Sequence, residues 1–198
     1  AAPLSGMGHL GTSRRAVLHT RRIAPAIMTL LPPDRPTLCR SLAPQAAVAR
    51  HGGATLDGDR LRRDVANRTA ALSAHPARDW AVFYHHGYPA LVTLLALWQT
   101  GKRAWLPGNN QDATAAALAG YCQAFAGDWR DAEPLEAPSD GPPAALAETD
   151  PDTQLVIFTS GSSGDPKPIF KSYRELLNEL NTLEDAFGGR LDGALFAG

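Results

Sequence analysis

Disulfides, membrane spans and a charge excess are all missing from this sequence. It has two cysteines, Cys39 and Cys122, in 198 residues. Two thiols so far apart cannot staple a small fold. The expectation is two free buried thiols in a reducing, cytoplasmic setting, and neither has the partner spacing that zinc requires. The longest apolar run, Ala90 to Trp98, falls well short of the ~20 residues that cross a bilayer. The formal net charge is -1, which removes the electrostatic case for a nucleic-acid partner. Acid is absent before Asp34, while Arg14, Arg15, Arg21 and Arg22 fall in that stretch. Two readings of residues 1–27 stay open: an Arg-rich targeting segment, or sequence upstream of a natural start at Met28. The lack of a long apolar stretch after the arginines favours the second. Residues 1–36 are expected to be a disordered or basic tail. No internal repeat is present.

What remains is an ordinary soluble composition, 44% hydrophobic and 20% charged, long enough for one domain with a core. Leu38 to Arg50 is expected to form a short helix, ended by Gly52-Gly53, with a turn at Leu56-Asp57-Gly58-Asp59. Leu61, Val65, Ala66, Thr69 and Leu72 then recur at helical spacing, with Arg60, Arg62 and Arg63 on a solvated face, and the helix stops before Pro76. Trp80 to Tyr84 reads as a buried strand. His85-His86-Gly87 breaks it. Pro89 marks a helix start, Leu91 to Trp98 is apolar nearly all round, and Gly101 suits the end of that helix. Lys102 to Leu106 is a second strand, closed by Pro107-Gly108-Asn109-Asn110. Strand, helix and strand in this span make a parallel pair with a crossover helix.

An Ala-rich helix is expected over Asp112 to Phe125. Residues 131–153 hold seven acids, five prolines and no base, the composition of a solvated acidic loop. Gln154 to Thr159 is the next buried strand. It runs into Ser160-Gly161-Ser162-Ser163-Gly164-Asp165-Pro166-Lys167-Pro168, and a helix follows. Ser172 and Glu175 make a capping box. Leu176, Leu177, Leu180, Leu183 and Phe187 form its apolar stripe, and Gly188-Gly189 is expected to end it. Leu195-Phe196 is expected to open one more strand that the chain leaves unfinished. The expected fold is three-layer α/β, a mostly parallel sheet flanked by helices, with an exposed sheet edge.

Thr159 to Lys167 carries the chemistry. Glycines let the backbone turn its amides inward, and consecutive inward amides attract anions. The hydroxyls of Thr159, Ser160, Ser162 and Ser163 add donors, and Lys167 adds a full positive charge. Such a set suits a polyphosphate. The spacing excludes a Walker-type loop, in which Lys follows the second Gly directly, a dinucleotide fingerprint, and a Gly-x-Ser-x-Gly elbow, which is one residue longer. By composition alone, a plain flexible turn between two elements remains an equal reading.

The run Phe158 to Lys167 resembles the phosphate-binding signature of the adenylate-forming (AMP-binding) superfamily, which includes acyl-CoA synthetases, luciferases and peptide-synthetase adenylation domains. Leu61 to Leu72 and Trp80 to Pro107 are similar to two weaker blocks that come in the same order. The resemblance implies that residues 37–198 are the incomplete amino-terminal part of an AMP-binding enzyme domain. It implies that Thr159, Ser160, Gly161, Ser162, Ser163, Gly164 and Lys167 wrap the β- and γ-phosphates of ATP. It implies ATP-dependent activation of a carboxylic acid as an acyl-adenylate, then thioester transfer to coenzyme A or an acyl carrier protein. Mg2+ is implied as well, with ligands outside this chain. The motifs for adenine, ribose and magnesium and the lysine of a carboxy-terminal domain have no counterpart here, so the expectation is a fragment inactive alone. One departure is Pro168, where the superfamily commonly has Gly. Two alternatives stay open: a truncated non-catalytic α/β module, and an unrelated phosphate-binding protein.

Other residues are expected to be structural. His85-His86 ends a strand where α/β folds place ligands, yet no Asp or Cys nearby in sequence completes a metal or triad set. Trp98, Trp105 and Trp129 read as packing residues.

Overall fold

The computed structural model describes residues 42–51, 53–135, 146–159 and 167–191. The elements run β1 (Ala47–His51), β2 (Ala54–Asp57), α1 (Gly58–Ala74), β3 (Asp79–Phe83), α2 (Gly87–Gln99), β4 (Arg103–Leu106), α3 (Asp112–Leu118), β5 (Ala124–Gly127), β6 (Gln154–Thr159), β7 (Lys167–Ser172) and α4 (Tyr173–Leu191). Among the described residues β1 and β2 form a hairpin, and the other five strands form one sheet in the order β5-β3-β4-β6-β7. Strands β3, β4, β5 and β6 are mutually parallel, and β7 is antiparallel to β6. This is the expected mostly parallel sheet flanked by helices.

The period-two alternation of the strands builds two cores. On one face Trp80, Val82, Ala104, Ala124, Ala126 and Leu155 pack with Leu61, Val65 and Leu72 of α1, the apolar side of α2, and Tyr173 and Leu177 of α4. On the other face Ala81, Trp105 and Val156 pack with Leu118, Cys122 and Trp129. Helices α2 and α3 therefore cover opposite faces. Trp98, Trp105 and Trp129 are buried as expected. Cys122 is a buried free thiol that burial, with a smaller push from Asp79, raises to about 12. Cys39 lies outside the described residues, as do the basic stretch 1–36 and Leu195-Phe196.

Several expectations need correction. Leu38 to Arg50 is not a helix where it is described: Ala47–His51 is β1, paired with β2. Of the glycines that read as a helix stop, Gly53, at φ 81°, precedes β2 in a hairpin where His51 pairs with Ala54. The turn at Leu56 to Asp59 is instead the direct passage from β2 into α1, where Asp57 caps the helix by accepting from Arg60 N at 2.8 Å. The Ala-rich helix stops at Leu118. Beyond it, Ala124–Gly127 is strand β5, because pairing with β3 overrides alanine's helical preference and small side chains fit beneath α2. Finally, β7 stands between the Ser/Gly run and the last helix. Pro168 disguises it, but a proline is tolerated in a strand that pairs on one side only. Helix α4 also runs through Gly188-Gly189 to Leu191.

Two features expected from the sequence are seen in detail. Gly101, at φ 65°, follows α2 and donates to Trp98 O at 3.1 Å. At the start of α4, Ser172 N donates to Glu175 Oε2 at 2.7 Å and Glu175 N to Ser172 Oγ at 3.2 Å, a reciprocal capping box. The described parts of 131–153 contain no helix or strand. Residues 146–148 are tied down by Gln99, which donates to Ala147 O at 2.8 Å and accepts from Ala147 N at 2.7 Å.

Gly127 is the most constrained glycine described. Its φ is 104°, and a Cβ there would overlap the Phe83 carbonyl. Gly127→Ala is expected to lower the free energy of unfolding by about 3 kcal/mol, from backbone strain plus the steric conflict. A urea titration with unchanged m-value reads this directly. A loss near zero would show that the β5 exit does not need glycine.

Candidate functional site

The parallel strands β3, β4, β5 and β6 end on one edge of the sheet, so four chain exits gather there. Strand β6 delivers Thr159 to this edge, and its Cα partner in β7 is Lys167. Residues 160–166 therefore join two positions about 5 Å apart, the spacing of an antiparallel pair. Of the residues expected to bind phosphate, the structure brings Thr159 and Lys167 together as the two ends of that connection. Ser160, Gly161, Ser162, Ser163 and Gly164 lie outside the described residues. Lys167 is exposed at the end of β7.

The neighbouring exits are well ordered by polar contacts. Leu106 of β4 pairs with Ile157 of β6, so the turn 107–111 leaves the sheet beside β6. Asn109 Oδ1 accepts from Gln111 N at 3.1 Å and from Thr114 Oγ1 at 2.6 Å, which fixes the turn onto α3. Asn110 Nδ2 donates to Asp128 O at 2.5 Å, and His85 N donates to Asp128 Oδ2 at 2.6 Å. The exits of β3, β4 and β5 are thus joined. Helices α2 and α3 leave adjacent strands β3 and β4 for opposite faces, the switch in connection at which such sheets generally bind ligands.

His85 and His86 follow β3 at this edge and are exposed. The His85 ring meets Phe83 edge-on at 5.2 Å. Among the described residues no group of three or more His, Cys, Asp or Glu side chains is placed to hold a metal ion. No helix of the described residues is long and apolar enough to cross a membrane.

Behind the edge, α1 and α2 are locked by a polar cluster that no motif announces. Asp64 accepts from Arg60 Nε at 2.9 and 2.8 Å and from Tyr88 Oη at 2.8 Å. Burial raises the Tyr88 phenol well above its usual value, and its bond to Asp64 adds to this. Tyr84 Oη shares a hydrogen with Thr93 Oγ1 at 2.9 Å and accepts from Arg68 at 3.2 Å. Arg62 departs from the solvated face expected for it: its guanidinium is largely covered, bonded to Leu42 O and to Asp59. The length of the arginine side chain lets it reach back over the entry to α1.

At the opposite, amino-terminal edge a shallow depression of about 400 Å³ is lined by His75, Pro76, Ala77, Arg78, Asp79 and Gln123. Its polar groups are occupied within the fold. Gln123 Oε1 accepts from Arg78 N and Asp79 N at 3.2 and 2.9 Å, and Asp79 Oδ1 from Arg103 and Trp105 at 3.1 and 2.8 Å. The carboxyl edge is the better candidate.

No family model matches the chain, and no curated protein matches it by sequence. Solved structures do. The AMPPNP-bound form of the nonribosomal peptide synthetase FmoA3 matches with a TM-score of 0.57 and 19% identity, over 73% of this chain and 17% of that one. The amino-terminal subdomain of NpsA from Klebsiella oxytoca matches with a TM-score of 0.50 and 15% identity, over 64% of this chain and 38% of that one. ATP-bound MatB from Rhodopseudomonas palustris matches with a TM-score of 0.50 and 16% identity, over 73% of this chain and 35% of that one. At these identities the likeness establishes a shared fold, the one the Ser/Gly signature led us to expect. The chain spans about a sixth of FmoA3 and a little over a third of the other two.

The capping box, at the end of β7 opposite Lys167, has a measurable pH signature. The Ser172 backbone N–H, then its hydroxyl, hold the Glu175 carboxyl below its ordinary value of 4.5. A carboxyl whose folded value is depressed stabilises the fold above its unfolded value and loses that contribution as pH falls through the folded one. The stability difference between the wild type and Glu175→Gln is therefore expected at neutral pH and should vanish in acid. Melting curves from pH 7 downward test it. A difference that persists when all carboxylates are protonated would assign it to something other than this charge.

Proposed function

We propose that this chain supplies the phosphate-binding part of an adenylate-forming active site, which activates a carboxylic acid with ATP. The observation that carries the proposal is the pairing of Thr159 with Lys167 at the carboxyl edge, in a fold shared with such enzymes. On this reading Thr159, Ser160, Gly161, Ser162, Ser163, Gly164 and Lys167 surround the β- and γ-phosphates. ATP-bound and AMPPNP-bound forms among the structures of similar fold support ATP as the nucleotide.

A carboxylate oxygen of the acid attacks the α-phosphorus. The bond from that phosphorus to the β-phosphate bridging oxygen breaks, and pyrophosphate leaves with the electron pair. The loop's task is to stabilise negative charge as it builds on the leaving group, which preorganised amides and a cation do without reorganisation. Transfer of the acyl group to a thiol, of coenzyme A or an acyl carrier protein, is the second step on this reading, with AMP as leaving group. Residues 37–198 then act as part of an AMP-binding domain, with 131–153 as a surface loop and 1–36 as a tail. The resemblance assigns the adenine, ribose and magnesium contacts to no residue of this chain. A cytoplasmic setting would supply both ATP and thiol acceptors.

The test is pyrophosphate exchange into ATP by the intact protein that carries this chain, with a panel of carboxylic acids. Exchange dependent on one class of acid is expected. Lys167→Ala is expected to reduce it by about a hundredfold with an unchanged melting temperature, because Lys167 is exposed. No exchange with any acid would overturn the proposal. ATP turnover that needs no acid would replace it with a phosphate-binding protein of another kind.

A further inference from the structure

Asp128 places three separate polar groups on its neighbours. Its N–H donates to Phe83 O at 2.8 Å. Its carboxylate accepts from His85 N at 2.6 Å, a short charge-assisted bond. Its carbonyl accepts from Asn110 Nδ2 at 2.5 Å. Two of these contacts grip the exit of β3 and the third grips the exit of β4. They are possible because Gly127, at φ 104°, turns the end of β5 towards Phe83. The Asn110 turn is fixed at its other end through Asn109 to Gln111 and Thr114, and it leaves β4 beside the strand that carries Thr159.

This geometry points to Asp128 as a positioning residue of the carboxyl edge. We propose that its carboxylate holds the 84–86 segment at the distance from β6 that ATP requires, without touching the nucleotide. The role rests on the ATP reading given above. The carboxylate is exposed, so removing it leaves no buried charge behind and creates no cavity. What it removes is the bond from His85 N, while the backbone bonds of residue 128 to Phe83 O and from Asn110 stay. A loss of orientation at a site costs affinity or rate without any lost contact to ligand.

The experiment measures pyrophosphate exchange by the intact protein, with KM for ATP and for the acid determined separately, and melting temperatures alongside. Asp128→Ala is expected to raise KM for ATP about tenfold, the effect of one charged hydrogen bond, while KM for the acid stays the same. Asp128→Asn keeps an oxygen that can accept from His85 N and should restore values close to wild type. Asn110→Ala combined with Asp128→Ala should cost less than the product of the two single effects, since both loosen one unit. An unchanged KM for ATP in Asp128→Ala overturns the proposal, as does an Asp128→Asn variant as impaired as Asp128→Ala. These failures occur with a wild type that exchanges normally. A wild type without exchange would overturn the ATP reading itself, and this role with it.

Discussion

Strand β3 is hydrogen-bonded in parallel to β4 on one side and to β5 on the other, and the carboxyl edge is built on that double pairing. A parallel strand forces every chain exit to one end of the sheet and requires each connection to cross back over a face. Trp80 anchors the strand. It is fully buried, and its indole N–H is satisfied by Ala77 O at 3.1 Å. From the other side Lys102 donates to His75 O and Ala77 O at 2.7 and 2.6 Å, so the entry to β3 is held by the residue that opens the way into β4. Burial, and to a lesser degree Arg78, lowers the Lys102 ammonium, as expected of a cation that has exchanged water for two carbonyls. The amino end of β3 is thus pinned by carbonyl acceptors and its carboxyl end by Asp128.

The two faces of the sheet are covered unequally. Helices α1, α2 and α4 contribute to one, and among the described residues α3 and the chain near Trp129 cover the other. On the thinner side Trp105 stacks on Tyr121 at 5.1 Å and meets Phe170 edge-on at 5.7 Å, with Arg103 over the Phe170 ring at 5.8 Å. Tyr121 and Phe170 are each about half exposed. Aromatic stacking and a cation over a ring stabilise even where area burial is partial, so this face coheres without a full helical layer. It also keeps β4, β6 and β7 together at the level of Val156, the Cα partner of both Trp105 and Phe170.

Most of the sheet could be read from residue order, and the reasons for the rest are specific. Trp80 to Tyr84, Lys102 to Leu106 and Gln154 to Thr159 are short apolar runs bounded by turn formers, and all three are strands. Their helix, α2, is apolar all round because α1 and the sheet both cover it. Strand β5 was hidden because Ala-Phe-Ala-Gly carries a helical composition, and only pairing with β3 makes it extended. Strand β7 was hidden behind Pro168, and β1 behind a glycine pair that reads as a helix stop. The candidate site divides in the same way. Thr159 and Lys167 carry a motif. Asp128 and Asn110 do not: their roles depend on three chain exits meeting, which no local pattern encodes. A Gly-Asp pair closing a short apolar run was the one available signal, and it was lost with β5.

The position of Lys167 bears on how such a loop could work. It belongs to β7 and not to the connection that precedes it, so the one positive charge of the signature sits on a paired strand. Lys171, four residues further along that strand, is bonded to Glu179 of α4, which raises its ammonium. Strand β7 therefore carries one lysine tied to the fold and one at the edge. A cation on a rigid element keeps its place when anion is absent, and its attraction falls with distance as Coulomb's law requires. Backbone amides on glycine-rich chain have to be ordered against conformational entropy of about 1–2 kcal/mol per residue. On the reading proposed above, a fixed charge at Lys167 gives an anion a defined point of attraction at this edge.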